Sequence, residues 1–143
     1  MGLDMYLRGK KHVFRHRDFP DTPPPEQDGF RVIGFELDMG YWRKHPNLHG
    51  YIVQNFAVDG KDDCRPVGLT ADNLRQIRDA VIERTLPHTS GFFFGTSATP
   101  EDEWYERQLE YDIKTLSAAI DWLEAPPPTD QIEMREVYYE ASW

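Results

Sequence analysis

The chain holds one cysteine, Cys64, which excludes an internal disulfide framework and any zinc site built from clustered cysteines. Its apolar runs all fall short of the roughly 20 residues that cross a bilayer, so no membrane partner is expected. Residues 1–11 lack the apolar stretch of a signal peptide, and the expected location is the cytoplasm. No Gly-Lys-Ser/Thr element is present, so a Walker-type phosphate loop is absent. Gly-x-Ser-x-Gly, His-Glu-x-x-His and His-x-Glu paired with Cys-x-x-Cys are missing too. The sequence therefore displays no recognisable catalytic set, and neither a metal site nor a cofactor is expected. Cations are also scarce: 16 Lys+Arg face 25 Asp+Glu, for a net charge of −9. Duplex DNA is an improbable partner, because neutralising phosphates takes a surplus of Lys and Arg.

What is present argues for a folded domain. A length of 143 residues suits one domain spanning 1–143, and 13% aromatic residues are too many for a disordered chain. The charge is unevenly placed. Residues 1–97 balance at zero, whereas residues 98–143 carry 12 acidic and 3 basic side chains and hold the whole −9. Arg8, Lys10, Lys11, Arg15 and Arg17 cluster near the start, and Arg43-Lys44 form a second basic pair. An anionic small molecule can still bind there, because close charges dominate within the ~8–10 Å Debye length.

Periodicity sets the expected elements. Leu3, Met5 and Leu7 alternate with polar residues as in a half-buried strand, continuing through His12-Val13-Phe14 after a break at Gly9. Residues 20–29 hold four prolines and form an exposed loop. Residues 30–37 make a second strand, with Gly34 as a candidate bulge. A short helix begins at Pro46 and buries Leu48, Ile52, Val53 and Phe56. Residues 64–69 read as a brief edge strand, because Pro66 interrupts them. Thr70 caps a helix that buries Leu74, Ile77 and Val81 and ends at Leu86-Pro87. Residues 90–95 read as a short strand. Thr99, Pro100 and Asp102 predict the start of the longest helix, with Glu101, Asp102 and Glu103 in its first turn. Its apolar stripe is Tyr105, Leu109, Ile113, Leu116, Ile120 and Leu123, and a Pro-rich connection at 125–130 follows. Residues 134–142 are the last strand. The expected fold class is α+β: a mixed, largely antiparallel sheet of four to five strands with three helices mainly on one face.

Several blocks combine groups suited to ligand binding. Tyr41-Trp42-Arg43-Lys44 packs two aromatics and two cations before a helix N-terminus, where a ring can stack and an anion can be held. Ser90-Gly91-Phe92-Phe93-Phe94-Gly95 pairs small residues with aromatics. His45 and His49 share a helical spacing, and His49 reads as a pocket or core histidine rather than a zinc ligand. Asp62-Asp63 would raise the Cys64 thiol pKa, which argues against a nucleophilic cysteine. The expected ligand-binding set is Tyr41, Trp42, Arg43, Lys44, His49, Ser90, Phe92, Phe94, Tyr105 and Trp143.

Taken together, the blocks resemble a family of small proteins encoded by tailed bacteriophages and prophages. The resemblance rests on Met1-Gly2-Leu3-Asp4-Met5-Tyr6-Leu7, Tyr41-Trp42-Arg43-Lys44 with His49, Asp63-Cys64, Ser90–Gly95, Glu103-Trp104-Tyr105 and Ser142-Trp143. Pro46, where the family has Asn, and the Pro-rich loop depart from its pattern. The resemblance implies a phage setting in a bacterial host cell and carries no reaction. The leading functional expectation is a non-enzymatic binder of a small anionic or nucleotide-like molecule, by analogy a sequesterer of a host defence signal. Two alternatives stand beside it. One is an acidic protein that inhibits a host protein through residues 98–143. The other is a nucleotide-processing enzyme using His49. A homo-oligomer is compatible with each.

Overall fold

The computed structural model describes residues 2–14, 25–127 and 132–143. Residues 20–24 and 128–130, part of the two Pro-rich segments, lie outside them. Ten-residue and longer strands form where side chains alternate. These are β1 (Asp4–Phe14), β4 (Gly34–Arg43) and β6 (Ile132–Ser142). With β5 (Val67–Leu69) they make an antiparallel sheet in the order β4-β1-β6-β5. Met5, Leu7, Val137, Tyr139, Val67 and Leu69 face the core, where α1 (Pro46–Phe56), α2 (Ala71–Ile82) and α3 (Tyr105–Glu124) cover them. The other sheet face carries Tyr6, Arg8 and Glu140, with Arg8 in an ion pair to Glu140 at 2.9 Å and over the Tyr6 ring. The α+β class holds, and the four-stranded sheet is wholly antiparallel.

The helix signals at Pro46 and Thr70 are both realised. Pro46 occupies the first turn of α1. Thr70 forms a reciprocal capping box with Asn73, at 3.1 and 3.0 Å. The brief edge strand is present, shortened to Val67–Leu69.

Other boundaries move for identifiable reasons. β1 runs unbroken through Gly9, where a Cβ would lie 2.6 Å from Met39 Cε, so the missing side chain makes room for Met39. The bulge falls at Met39 and not at Gly34, since Leu7 pairs with Gly40 and Arg8 with Asp38. β4 starts later than expected and continues through Tyr41-Trp42-Arg43; Glu26–Gln27 (β2), in the expected loop, pairs with Phe30–Arg31 (β3), the first two residues of the expected second strand. Residues 90–95 are not a strand but a turn in which the Phe94 N–H donates to the Gly91 carbonyl at 3.2 Å.

α2 stops at Ile82 rather than at Leu86-Pro87. The Thr85 N–H returns to the Ala80 carbonyl at 2.9 Å and the Arg84 N–H to the Val81 carbonyl at 3.1 Å, a Schellman closure. Thr99 and Asp102 do bond, the Thr99 N–H donating to Asp102 Oδ2 at 2.7 Å, but they close a turn and not the start of α3. The Thr99 carbonyl takes the Asp102 N–H and the Asp102 carbonyl takes the Tyr105 N–H, so i,i+3 bonds occupy the groups that helical i,i+4 bonds would need. Glu101–Glu103 therefore precede the helix, with Glu106 the acidic residue of its first turn.

Gly50, buried in α1, faces Thr89, whose Oγ1 would lie 2.0 Å from a Cβ added there. Gly→Ala inside a helix ordinarily stabilises by about 1 kcal/mol. Gly50→Ala is expected to reverse that sign and lower the urea midpoint, and a raised midpoint would refute the close helix–loop contact.

Candidate functional site

Asp112 sits on α3 between Leu109 and Leu116, on the face turned to the core, and is almost fully buried. Its carboxylate is satisfied from two elements. Trp42 Nε1–H, from the end of β4, donates to Oδ1 at 2.6 Å, and His45 Nε2 lies 2.9 Å from Oδ2. The other His45 nitrogen, Nδ1, lies 2.8 Å from Ser97 Oγ, and the Asn47 N–H donates to that same oxygen at 3.0 Å. Pro46 has no N–H, so Asn47 presents the first free amide of α1 to Ser97. One assignment satisfies every group: the amide donates to Oγ, the hydroxyl to Nδ1, and Nε2–H and the indole to an ionised Asp112.

Two depressions flank this chain. The first is a cavity of about 280 Å³ bordered by His45, Ser97 and Asp112, by apolar Val81, Leu86 and Leu109, and by Arg84, Tyr105 and Gln108. The second is a groove of about 310 Å³ lined by Tyr41, Trp42, Arg43, Trp104, Arg107, Gln108 and Tyr111. Gln108 borders both, and the Trp42–Asp112 bond joins the wall of one to the floor of the other. In the groove Trp104 is 48% exposed, Tyr41 43% and Tyr111 42%. The Tyr41 N–H on the outer edge of β4 donates to Tyr111 Oη at 3.0 Å, which fixes β4 against α3. Arg43 reaches Asp4 at 3.4 Å.

At the cavity mouth Arg84 closes α2 with φ of 57°, in the left-handed region where Gly is preferred. Its guanidinium lies over the Tyr105 ring, 5.3 Å from the centroid, and 3.5 Å from Glu106.

A second histidine chain lies one turn along α1. His49 Nδ1 is 2.6 Å from Tyr139 Oη, Nε2 is 2.8 Å from Asp62 Oδ2, and Trp143 Nε1–H donates to Asp62 Oδ1 at 3.2 Å. Phe94 packs edge-on against both His49 and Trp143. Little open space remains beside this chain, about 10 Å³. Burial, followed by the charges of Asp62 and Cys64, pushes the Tyr139 phenol well above its ordinary 10.0. Burial pushes the exposed-loop thiol of Cys64 up as well, with Asp62, Asp63 and Glu140 adding to it.

The ten sequence candidates therefore divide. Tyr41, Trp42 and Arg43 line the groove, and Tyr105 borders the neighbouring cavity. His49, Phe94 and Trp143 meet at the second chain. Lys44, at φ of 56°, lays its stem against Gly95. Ser90 is exposed, and Phe92 is 92% exposed beside Phe93. His45 and His49 do not converge, and among the described residues no group of three His, Cys, Asp or Glu side chains is placed to hold a metal. Sequence reasoning missed Asp112, His45, Ser97, Arg84 and Arg107. One signal was available for Asp112: a carboxylate spaced 3 and 4 residues from Leu109 and Leu116 falls on the apolar stripe and needs buried donors. Among the described residues no helix is long and apolar enough to cross a membrane.

Two outcomes follow from these geometries. Arg84→Gly is expected to raise stability by about 0.5–1 kcal/mol in urea unfolding, because Gly relieves the left-handed strain while the lost surface ion pair contributes little. An unfolded chain ionises Tyr139 near pH 10, whereas the folded chain resists ionisation to higher pH. Stability from this group is thus full below pH 10 and lost as pH rises through the folded value. Tyr139→Phe should flatten the alkaline fall in stability, measured from pH 9 to 11.5.

No family model, curated protein or solved structure matches the chain.

Proposed function

We propose that the protein binds a small planar anion of nucleotide-like character in the groove between the end of β4 and the first turns of α3. The carrying observation is the convergence of two guanidiniums, Arg43 and Arg107, with three half-exposed rings, Tyr41, Trp104 and Tyr111, in one depression of a chain with net charge −9. Guanidinium groups fork onto phosphate or carboxylate, and exposed rings offer faces to a planar base. Among the described residues no carboxylate lies within ion-pair distance of Arg107, and Arg43 holds Asp4 only loosely. A volume of about 310 Å³ lies at the small end of ligand sites, which suits a mononucleotide rather than a polymer. By analogy with the phage setting that the sequence blocks suggest, we propose that such a ligand is a host signal held out of circulation.

The test is a panel of mononucleotides, cyclic nucleotides and inorganic phosphate, read by Trp fluorescence and by mass analysis of what denatured protein releases. At least one nucleotide should bind and be recovered intact, and Arg107→Glu and Trp104→Ala should each weaken it tenfold or more with the melting temperature preserved. Wild-type affinity in both variants would sink the groove assignment. Trp42→Ala is a poor probe, because it also removes a donor from buried Asp112.

A further inference from the structure

We propose that the cavity beside the groove is a hydrolytic site for short-chain carboxylic esters, with Ser97 as nucleophile, His45 as general base and Asp112 as the carboxylate that orients it. The proposal does not rest on ligand binding in the groove.

Geometry carries it. Ser97 Oγ, His45 Nδ1 and Nε2, and Asp112 Oδ2 form one hydrogen-bonded line of 2.8 and 2.9 Å, with every member buried and every member bordering the same cavity of about 280 Å³. A polar chain that served stability alone would satisfy its groups within packed protein, as buried His49 and Tyr139 do beside a space of only about 10 Å³. Here hydroxyl and imidazole border open space, and Val81, Leu86 and Leu109 give part of the remaining wall an apolar surface where an acyl chain would lie, opposite polar groups such as Arg84 and Gln108. The ring nitrogens are exchanged relative to the familiar serine hydrolases, Nδ1 facing the hydroxyl and Nε2 the carboxylate. The triad is defined by geometry and roles, and both roles are filled.

The step balances with water as co-reactant. Oγ bonds to the ester carbonyl carbon as its proton passes to Nδ1, and the carbonyl π pair moves to oxygen. The Asn47 amide, at the positive end of α1, favours negative charge developing on Oγ. Asp112, fixed by the Trp42 indole, stabilises the imidazolium through Nε2–H. Gln108 Oε1 accepts the Ala98 N–H at 3.4 Å, which leaves its carboxamide N–H₂ to donate to the oxyanion. Collapse re-forms the carbonyl and breaks the bond to the leaving alkoxide, which takes the proton from Nδ1. Water then adds to the acyl-Ser97 ester, its proton going to Nδ1. Breaking the acyl–Oγ bond releases the carboxylic acid and returns that proton to Oγ.

The test uses the full chain, an alkyl fluorophosphonate and p-nitrophenyl esters of graded acyl length. One phosphonyl adduct mapping to Ser97 is expected, together with turnover of acetyl and butyryl esters that falls for octanoyl. Ser97→Ala should abolish both, and Asp112→Asn should lower kcat at least 100-fold and shift its pH profile. Folded wild-type protein that takes no adduct, or takes it elsewhere, overturns the proposal, as does undiminished turnover in Ser97→Ala. If Ser97→Ala fails to fold, the site of the wild-type adduct decides alone.

Discussion

The burial of one carboxylate, Asp112, organises the half of the molecule that holds the groove and the cavity. An ionised group out of water is tolerated only when donors surround it, and here they arrive from Trp42 on β4 and His45 at the start of α1. His45 in turn holds Ser97, and Ser97 receives the first free amide of α1. A strand, two helices and the segment after the Phe triplet are thereby tied to a single point. Removing the carboxylate would strand an indole donor and an imidazole together, so the cost would exceed that of one hydrogen bond. The same tie fixes Trp42 as a wall of the groove and sets His45 and Ser97 at the edge of the cavity.

The two histidines of α1 show how packing decides what a polar chain can do. Each places one nitrogen on a carboxylate and the other on a hydroxyl. Around His49, Phe94 and Trp143 fill the remaining space, and the chain reads as an anchor for the last strand and its terminal indole. Around His45 the turns between Thr99 and Tyr105 delay the start of α3, and the cavity opens there. Arg84, strained at the end of α2, borders the same opening.

Legibility followed locality. Pro46 and the Thr70 capping box act within one helical turn, and both elements were readable. Tyr41, Trp42 and Arg43 are neighbours in the chain and became neighbours in the groove. The false start at Thr99 arose because a Thr-Pro-x-Asp segment satisfies a turn and a helix cap with the same side chains, and only the backbone bonds separate the two. Phe92-Phe93-Phe94 has strand composition but pairs with no strand among the described residues and folds as a turn with Phe94 inward and Phe92 outward. Ser97 and Asp112 lie 52 and 67 positions from His45, and no spacing rule spans such distances. What remained visible was the misplaced charge on the α3 stripe.

The uneven charge of the sequence acquires a different meaning once β1 lies beside β6. The basic start and the acidic end are adjacent strands, and Arg8 pairs with Glu140 and Lys11 with Glu133. The carboxylates of β6 are therefore largely engaged with cations of β1 and do not form a continuous acidic face. Arg107, one of the 3 basic residues among the last 46, sits on α3 in the groove that also holds Arg43. The fold thus brings a cation from the acidic segment together with one from the neutral segment, while Arg8 and Lys11 engage Glu140 and Glu133 on the sheet. A net charge of −9 is compatible with a groove lined by two guanidiniums because screening confines each charge to its own neighbourhood.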